Sequence, residues 1–385
     1  MKYREVGKTG RQASIIGMGC ENLDRKPYEQ VYKTINAALD VDVNIFDVFM
    51  PGKEIRENIA KSLGSKRKQV MIQGHIGSTD INQQYEINRD LPSIKRYFED
   101  MLRIFGSYID FGMMYFIDSE KDFKGVFETG FAEYVERLKK QGDIGHIGFS
   151  SHDPETAIKT VKTGLPEVMM FSLNPAFDMI PPDEYIHDTF DNGLAPERFR
   201  GIEPKRTELY TLCEQKQIGI TVMKTLGAGK LISQELTPFI KPLTIPQCIQ
   251  YALDRPSVSC VLLGAQTPGE VREAMKYFDA DDSELDYTEI LCSVRNDFRG
   301  SCVYCNHCQP CPAEIDIAAV NKYLDIARLD TENIPPPIRA HYLNLIHKGS
   351  DCNSCGNCEE RCPFGVQNIA NMAEAERLFE SPHKV

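Results

Sequence analysis

The chain has 385 residues, of which 42% are hydrophobic, enough for a barrel-sized domain followed by a small second domain. Its formal net charge of −12 argues against a nucleic-acid-binding protein, because such proteins present a basic face to phosphates. No apolar run approaches the roughly 18 residues of a membrane span, and the polar N-terminus lacks a signal peptide's apolar core. The sequence therefore predicts a cytoplasmic protein with no membrane partner.

Short apolar segments alternate with amphipathic segments over the first 285 residues. We predict strands at 13–19, 43–47, 70–74, 108–114, 144–150, 167–173, 218–224 and 259–264. Eight strands alternating with helices predict an α/β fold with a parallel sheet, and eight such strands close naturally into a (β/α)8 TIM barrel. The rival doubly wound sheet is disfavoured, because no G-x-G-x-x-G turn follows an early strand.

The reactive groups of such barrels lie at the carboxyl ends of the strands. The predicted ends carry Asp47, His75, Tyr115, Ser150, Ser151, His152, Asn174, Lys224, Gly264 and Ala265. This polar ring has the side chains needed for acid/base catalysis. Any one of these residues, taken alone, is more often a helix cap or a loop support.

Several segments, in order, resemble the aldo/keto reductase family. They are YREVGKTG (3–10), FDVFMPGKEIRENIAKSL (46–63), GDIGHIGFSSH (142–152) and LLGAQTPGEVREAM (262–275). The resemblance covers about residues 1–280, and the ordered motifs make it specific. It implies a barrel whose relatives bind a nicotinamide cofactor in extended form and reduce carbonyl groups.

The resemblance also implies a catalytic tetrad of Asp, Tyr, Lys and His, of which only Asp47 is kept. Met50 and Pro51 occupy the place of the tyrosine, and neither side chain can donate a proton. His75 replaces the lysine and Tyr115 replaces the histidine. We therefore predict an acid/base set of Asp47, His75 and Tyr115 with a different layout, and the alternative is a pocket without chemistry.

The nicotinamide site implied by the resemblance is only partly kept. The candidate cofactor contacts are Ser150, Ser151, Asn174, Lys224, Gly227, Gly264, Ala265 and Thr267. Ser150 and Ser151 match the family's Ser-Asn pair at the carboxamide, whereas Ala274 replaces its final asparagine. The glycine-rich turn at 224–231 could line a phosphate. The sequence leaves NAD(P)H, a flavin or neither open as the barrel's cofactor.

Eight of the thirteen cysteines form two runs near the C-terminus. The runs are Cys302-x2-Cys305-x2-Cys308-x2-Cys311-Pro and Cys352-x2-Cys355-x2-Cys358-x3-Cys362-Pro. The second is the run with which bacterial ferredoxins bind a [4Fe-4S] cluster, and the first is one residue shorter before its last cysteine. Zinc is the competing metal, because C-x2-C pairs also build zinc sites. Two runs of four cysteines, each followed by proline, favour two [4Fe-4S] clusters.

In two-cluster ferredoxins the fourth cysteine of each run binds the other cluster. We therefore pair Cys302, Cys305 and Cys308 with Cys362, and Cys352, Cys355 and Cys358 with Cys311. Residues 286–385 would form an α-rich, ferredoxin-like domain behind a barrel of residues 1–285. Two helices broken at IPPP (334–337) and a third over 366–379 complete that domain.

Together these features predict a cytoplasmic iron–sulfur oxidoreductase that resembles ferredoxin-fused aldo/keto reductases. It would act on a small organic substrate and exchange single electrons with a ferredoxin- or flavodoxin-like partner. Nicotinamide moves two electrons as hydride, so a flavin or a substrate that tolerates stepwise reduction would have to connect it to the clusters. One alternative is an NAD(P)H-dependent carbonyl reductase that uses Tyr115 as its acid and has structural clusters. The other is a non-catalytic electron-transfer or scaffold protein.

Overall fold

The structure is a computed structural model that describes residues 1–81, 84–179, 202–292, 300 and 302–380. Its strands are β1 Tyr3–Glu5, β2 Gln12–Ser14, β3 Ile16–Gly19, β4 Ile45–Val48, β5 Met71–Ile76, β6 Ser78–Ile81, β7 Gln84–Ile87, β8 Ile109–Met114, β9 Ile144–Ser151, β10 Val168–Ser172, β11 Gly219–Met223 and β12 Val258–Leu263.

Helices of the barrel region are α1 Tyr28–Asp40, α2 Lys53–Leu63, α3 Leu91–Phe105, α4 Glu120–Phe127, α5 Phe131–Gln141, α6 Pro154–Lys162, α7 Pro175–Asp178, α8 Pro204–Gln215, α9 Ile245–Leu253 and α10 Pro268–Met275. After them come α11 Asp282–Leu285, α12 Thr288–Cys292, α13 Ile317–Arg328, α14 Pro336–Leu343, α15 Asn357–Glu360 and α16 Asn368–Ala375. Among these described helices, none is long and apolar enough to cross a membrane.

Eight parallel strands form a closed barrel in the order β3, β4, β5, β8, β9, β10, β11 and β12. The last strand closes the barrel by pairing with the first, with Val261 opposite Ile16. The predicted eight-stranded parallel barrel is confirmed, and each strand lies at its predicted place. Both faces of β5 are buried, as expected where helices cover a parallel sheet whose interior is packed.

The antiparallel strands β1 and β2 form an N-terminal hairpin that covers the barrel at the amino ends of its strands. Lys8 N donates to Gln217 O at 2.9 Å, just before β11 begins. Gly7 has a φ of +54°, and a Cβ there would lie 2.4 Å from Gln217 O, so only glycine fits this approach. Val6 packs into the barrel interior beside Phe111 and Met170. Open space is therefore left at the carboxyl ends of the strands.

Helix α3 is an example of how the sequence determines the ends and the buried face of a helix that surrounds the barrel. The Asp90 side chain accepts a hydrogen bond from Ser93 N and caps the first turn, and Gly106, in the left-handed conformation, follows the last. Buried residues recur at helical spacing on its inner face: Ile94, Phe98, Met101, Leu102 and Phe105. This apolar stripe packs the helix against the barrel.

A hairpin that sequence analysis did not predict follows β5. Its strands β6 and β7 pair antiparallel, with Asp80 opposite Tyr85. Because it lies directly after a barrel strand's carboxyl end, it brings Tyr85 to the rim of the open end.

The C-terminal segment contains the three predicted helices, here α13, α14 and α16, around a small core of its own. It binds the barrel through Arg255, whose guanidinium donates to Val303 O, and through Gln215, which donates to Ile326 O at 3.2 Å. Arg255 precedes β12 and Gln215 ends α8, so both contacts lie at the amino ends of the strands, opposite the open end.

Candidate active site

A cavity of about 650 Å³ opens at the carboxyl ends of the barrel strands. Its polar lining includes Glu21, Asp47, His75, Ser150, His152 and Lys224. Its aromatic lining includes Phe49, Tyr85, Tyr115 and Phe116. The volume suits a small organic molecule, held by apolar walls with a few polar groups aimed inward.

Asp47 and His75 form a hydrogen-bonded contact at the cavity. Asp47 lies in β4 and His75 in the neighbouring β5, and His75 Nε2 lies 2.8 Å from Asp47 Oδ1. Gln73 Nε2 donates to the same oxygen at 2.7 Å, and its own Oε1 accepts from Thr221 Oγ1 at 3.0 Å. All these side chains are buried. The carboxylate is thus held in place from two sides, and it orients the imidazole.

The contact with Asp47 determines which ring nitrogen of His75 carries a proton. A carboxylate accepts hydrogen bonds and cannot donate them, so Nε2 carries the proton that faces Asp47. The Nδ1 atom is buried and has no hydrogen-bond partner among the described residues. A buried polar atom without a partner is costly, and such atoms are common where a ligand completes the site.

Tyr115 lies against both His75 and Phe49. Its ring meets the His75 ring edge-on at a centroid distance of 5.5 Å and stacks on Phe49 at 5.8 Å. Burial raises the pKa of the Tyr115 hydroxyl, and the nearby Tyr85 and Glu21 raise it further. The hydroxyl therefore keeps its proton at neutral pH and can donate a hydrogen bond to a bound oxygen.

A second histidine–carboxylate pair lies beside the cavity. His152 Nδ1 lies 2.8 Å from Asp118 Oδ2, and His152 N donates to the other oxygen at 2.7 Å. Burial lowers the pKa of His152, which keeps its ring neutral. Sequence analysis placed His152 at a strand end but did not select it, and Asp118 was missed altogether.

Lys224 and Glu21 form the remaining charged part of the lining. Burial lowers the pKa of Lys224 to about 8, although Glu21 and Asp118 act in the opposite direction. Burial also raises the pKa of Glu21, against the effect of Lys224. Both groups therefore exchange protons more readily near neutral pH than exposed residues of their type.

Four cysteines of the C-terminal segment line one small pocket: Cys311, Cys352, Cys355 and Cys358. This set joins the last cysteine of the first run to three of the second run. Within the described part of the chain, no three His, Cys, Asp or Glu side chains converge closely enough to hold a single metal ion. The ligands of a four-iron cluster lie farther apart, because each binds a different iron.

Three of the other four cysteines of the runs lie nearer the barrel, whereas Cys308 is part of the C-terminal segment's own core. Burial raises the pKa of Cys305 to about 11, and the neighbouring Cys362 raises it further. Burial likewise raises the pKa of Cys302, with contributions from Cys305 and Cys308. Cys302, Cys305 and Cys362 all pack against the core that includes the barrel helices. The Cys362 thiol thus lies close to the first run rather than with its own.

A model of the aldo/keto reductase family matches residues 15–244. The chain belongs to the aldo/keto reductase family. Solved structures agree in fold. An aldo-keto reductase of Bacillus halodurans, in its holo form, is 19% identical with a TM-score of 0.59, over 76% of this chain and 96% of that chain.

A Pseudomonas aeruginosa protein described as an aldo-keto reductase is 17% identical with a TM-score of 0.55, over 72% of this chain and 94% of that chain. At these identities the likeness shows the fold alone. No curated protein matches the chain. The two cysteine runs lie beyond the residues that the family model covers.

Because the chain belongs to the aldo/keto reductase family, the structure at Met50 and Pro51, which take the place of the tetrad tyrosine, bears on its chemistry. Met50 O accepts a hydrogen bond from Arg56 Nε at 2.8 Å, and Pro51 lines a separate surface pocket with Arg56. No proton donor is therefore supplied from these two positions. Asp47, His75 and Tyr115, the three side chains selected from the sequence, lie together at the cavity.

The candidate cofactor contacts divide into two groups. Ser150, Lys224 and Gly264 line the cavity, and Ser150 Oγ also accepts from Phe116 N at 2.9 Å. The others are not among the cavity-lining residues of the described chain: Ser151, Asn174, Gly227, Ala265 and Thr267. Asn174 and Thr267 cap α7 and α10, and Ser151 Oγ bonds the backbone of Asp153. These three hydroxyl and amide groups are occupied by local structure.

Apart from Tyr115, the aromatic part of the lining was not predicted from the sequence. Phe49 directly follows β4, Phe116 lies two residues beyond β8, and Tyr85 comes from the unpredicted hairpin. Glu21, two residues beyond β3, was also missed. Their only signal was a position within a few residues of a strand's carboxyl end, which many structural residues share.

Proposed function

We propose that the chain is an oxidoreductase that acts on a small carbonyl or hydroxyl compound in the cavity and exchanges single electrons through two [4Fe-4S] clusters. The observation that carries the proposal is the contact of Asp47, His75 and Tyr115 at the strand ends of an aldo/keto reductase barrel. This trio supplies acid/base groups where the family's tyrosine and lysine are absent.

Asp47 and Tyr115 have distinct roles. Asp47, fixed by Gln73, orients His75 through the hydrogen bond to its Nε2 atom. Tyr115, whose raised pKa keeps it protonated, donates a hydrogen bond to the substrate oxygen and stabilises the negative charge that develops there. The Phe49 ring stacks on the Tyr115 ring and supports it on one side.

The cysteines fit two four-iron clusters. Four thiols from both runs line one pocket, and the Cys362 thiol lies near Cys305 of the first run, in support of the cross-ligated pairing. Thiolate is the ligand that iron–sulfur clusters take, and bound clusters would supply one-electron transfer.

The partner and compartment follow from this chemistry. A one-electron protein such as a ferredoxin or flavodoxin suits clusters that exchange electrons singly, and a cytoplasmic location suits reduced thiols. Ser150, Lys224 and Gly264 would contact a flavin or nicotinamide if one binds in the cavity. The open cavity weighs against a purely scaffolding barrel.

One observation favours a second candidate, an NAD(P)H-dependent carbonyl reductase with structural clusters. The segment next to Cys302 binds Arg255, at the amino end of β12, whereas the cavity lies beyond the strand's other end. Six residues of strand separate these ends, roughly 20 Å at the usual rise per residue. Packed apolar side chains fill the barrel between them.

Anaerobic turnover distinguishes the two candidates. The full chain is mixed with a panel of aldehydes and ketones and either reduced methyl viologen, a one-electron donor, or NADPH. We expect carbonyl-dependent oxidation of viologen that disappears in Asp47→Asn and in Cys355→Ser. Carbonyl-dependent oxidation of NADPH that survives Cys355→Ser would contradict the proposal and support the second candidate.

A further inference from the structure

Lys224 is held in an unusual backbone conformation where β11 meets the cavity. Its φ of 61° is left-handed, a region that non-glycine residues rarely adopt. Two hydrogen bonds hold its carbonyl oxygen, from Asn174 Nδ2 at 2.9 Å and from Gly227 N at 2.8 Å. A strained backbone conformation persists only where several contacts hold the residue in place, and such residues are found most often at functional sites.

The side chain of Lys224 shares the cavity with Glu21 and His152, and the Asp118 carboxylate, which is bonded to His152, lies near it. Glu21 follows β3, Asp118 follows β8 and His152 follows β9. Both carboxylates interact electrostatically with the amine. Burial nevertheless lowers the pKa of Lys224 to about 8, so part of it is neutral at physiological pH. A neutral amine in a partly apolar pocket is a nucleophile toward carbonyl carbon.

We propose that Lys224 forms an imine with the carbonyl group of an aldehyde or ketone bound in the cavity. The Nζ lone pair forms the C–N bond, the carbonyl π bond breaks, the oxygen takes up a proton, and Nζ releases one. Loss of water then forms the C=N bond, and hydrolysis reverses both steps. No electrons are gained or lost.

The proton for the departing oxygen has a source in the same cavity. Burial raises the pKa of Glu21, which therefore remains protonated to higher pH than an exposed glutamate. A protonated imine accepts electrons more readily than the parent carbonyl. The inference thus deepens the proposed function by naming its substrate as a carbonyl compound, and it rests on that function for its biological role.

Reductive trapping tests the imine directly. The full chain is treated with acetaldehyde and sodium cyanoborohydride, and peptide mass mapping follows alkylation at each lysine. At pH 7 an amine with a pKa of about 8 has a neutral fraction a few hundred times that of an exposed lysine. We expect Lys224 to be alkylated at least tenfold faster than surface lysines, with a rate that levels off above pH 8.

Two variants test the roles of Glu21 and Lys224 separately. Glu21→Gln should slow trapping at Lys224 and leave surface lysines unchanged. Lys224→Arg keeps a cation, so carbonyl turnover that survives in it would assign Lys224 to anion binding and overturn the inference. Trapping at the surface-lysine rate would overturn it too. Trapping needs no electron donor, so selective trapping without viologen-coupled turnover would instead reject the proposed function alone.

Discussion

His75 meets Asp47 through its Nε2 atom at 2.8 Å, and this contact leaves the Nδ1 atom buried without a partner among the described residues. The family's usual lysine would offer a cation at this place but no acceptor. The imidazole offers both a cation and, when neutral, an acceptor. The replacement therefore changes the chemistry available at the strand end rather than removing it.

Asp47→Asn should reduce turnover by about a hundredfold, because the amide cannot orient the imidazole in the same tautomer. His75→Gln should cause a loss of similar size, and the double variant should be little worse than either single variant. Steady-state kcat measures all three. Asp42→Asn, a substitution outside the cavity, is the matched control. Fully multiplicative losses would show that the two residues act separately.

Tyr115→Phe keeps the stacked ring and removes the hydroxyl. If this hydroxyl donates the hydrogen bond to the substrate oxygen, kcat should fall about a hundredfold or more, with less change in KM. Tyr134→Phe is the control, since this tyrosine is also buried and lies in α5, away from the cavity. Near-normal kcat in Tyr115→Phe would remove the hydroxyl from the mechanism.

Asp254 should make stability depend on pH. It accepts hydrogen bonds from Tyr287 Oη at 2.7 Å and Gln250 Nε2 at 2.6 Å, and burial raises its pKa to about 6. The folded pKa exceeds the unfolded value, so the stabilising contribution is complete below pH 4 and lost as pH rises through 6. The loss is at most about 3 kcal/mol.

The melting temperatures of the wild type and Asp254→Asn measure this effect. The melting temperature of Asp254→Asn, relative to that of the wild type, should rise between pH 4.5 and pH 7.5, because the amide never ionises. Asp282→Asn, at an exposed position, should show no such trend. A difference that stays constant over this range would show that Asp254 is ionised throughout.

Each cluster should be bound by the first three cysteines of one run and by the last cysteine of the other run. Cys311→Ser should disturb the cluster bound by Cys352, Cys355 and Cys358, because its thiol lies in their pocket. We expect iron to fall from about eight to about four atoms per chain, with one spectroscopic signal retained. Cys213→Ser, a buried core thiol in α8, should keep both clusters.

Cys362→Ser provides the complementary experiment. It should disturb the other cluster, whose remaining ligands are in the first run, and leave the signal that Cys311→Ser removes. If each substitution instead disturbs the cluster of its own run, the cross-ligated pairing is wrong.

The barrel could be predicted because its eight apolar segments match strands that are buried on both faces, such as β5. The hairpin β6–β7 could not, because its strands are only four residues long and the apolar residues Tyr85 and Ile87 of β7 stay exposed rather than joining the core. Asp47 and His75 were found because a strand's carboxyl end has chemical meaning in this fold.

The distances between side chains on different strands cannot be predicted from any local sequence pattern. Glu21 and Asp118 become parts of the site only when the barrel closes and brings them near Lys224. Conversely, Ser151 and Asn174 occupy the predicted strand ends, but their side chains bond neighbouring backbone. The sequence identifies such polar residues without revealing which of them local structure will use.

Iron and acid-labile sulfide analysis of the full chain, purified without oxygen, tests the account most directly. Two cross-ligated four-iron clusters predict about eight iron atoms and about eight sulfides per chain. Zinc in place of iron, or about four of each element, would contradict the account.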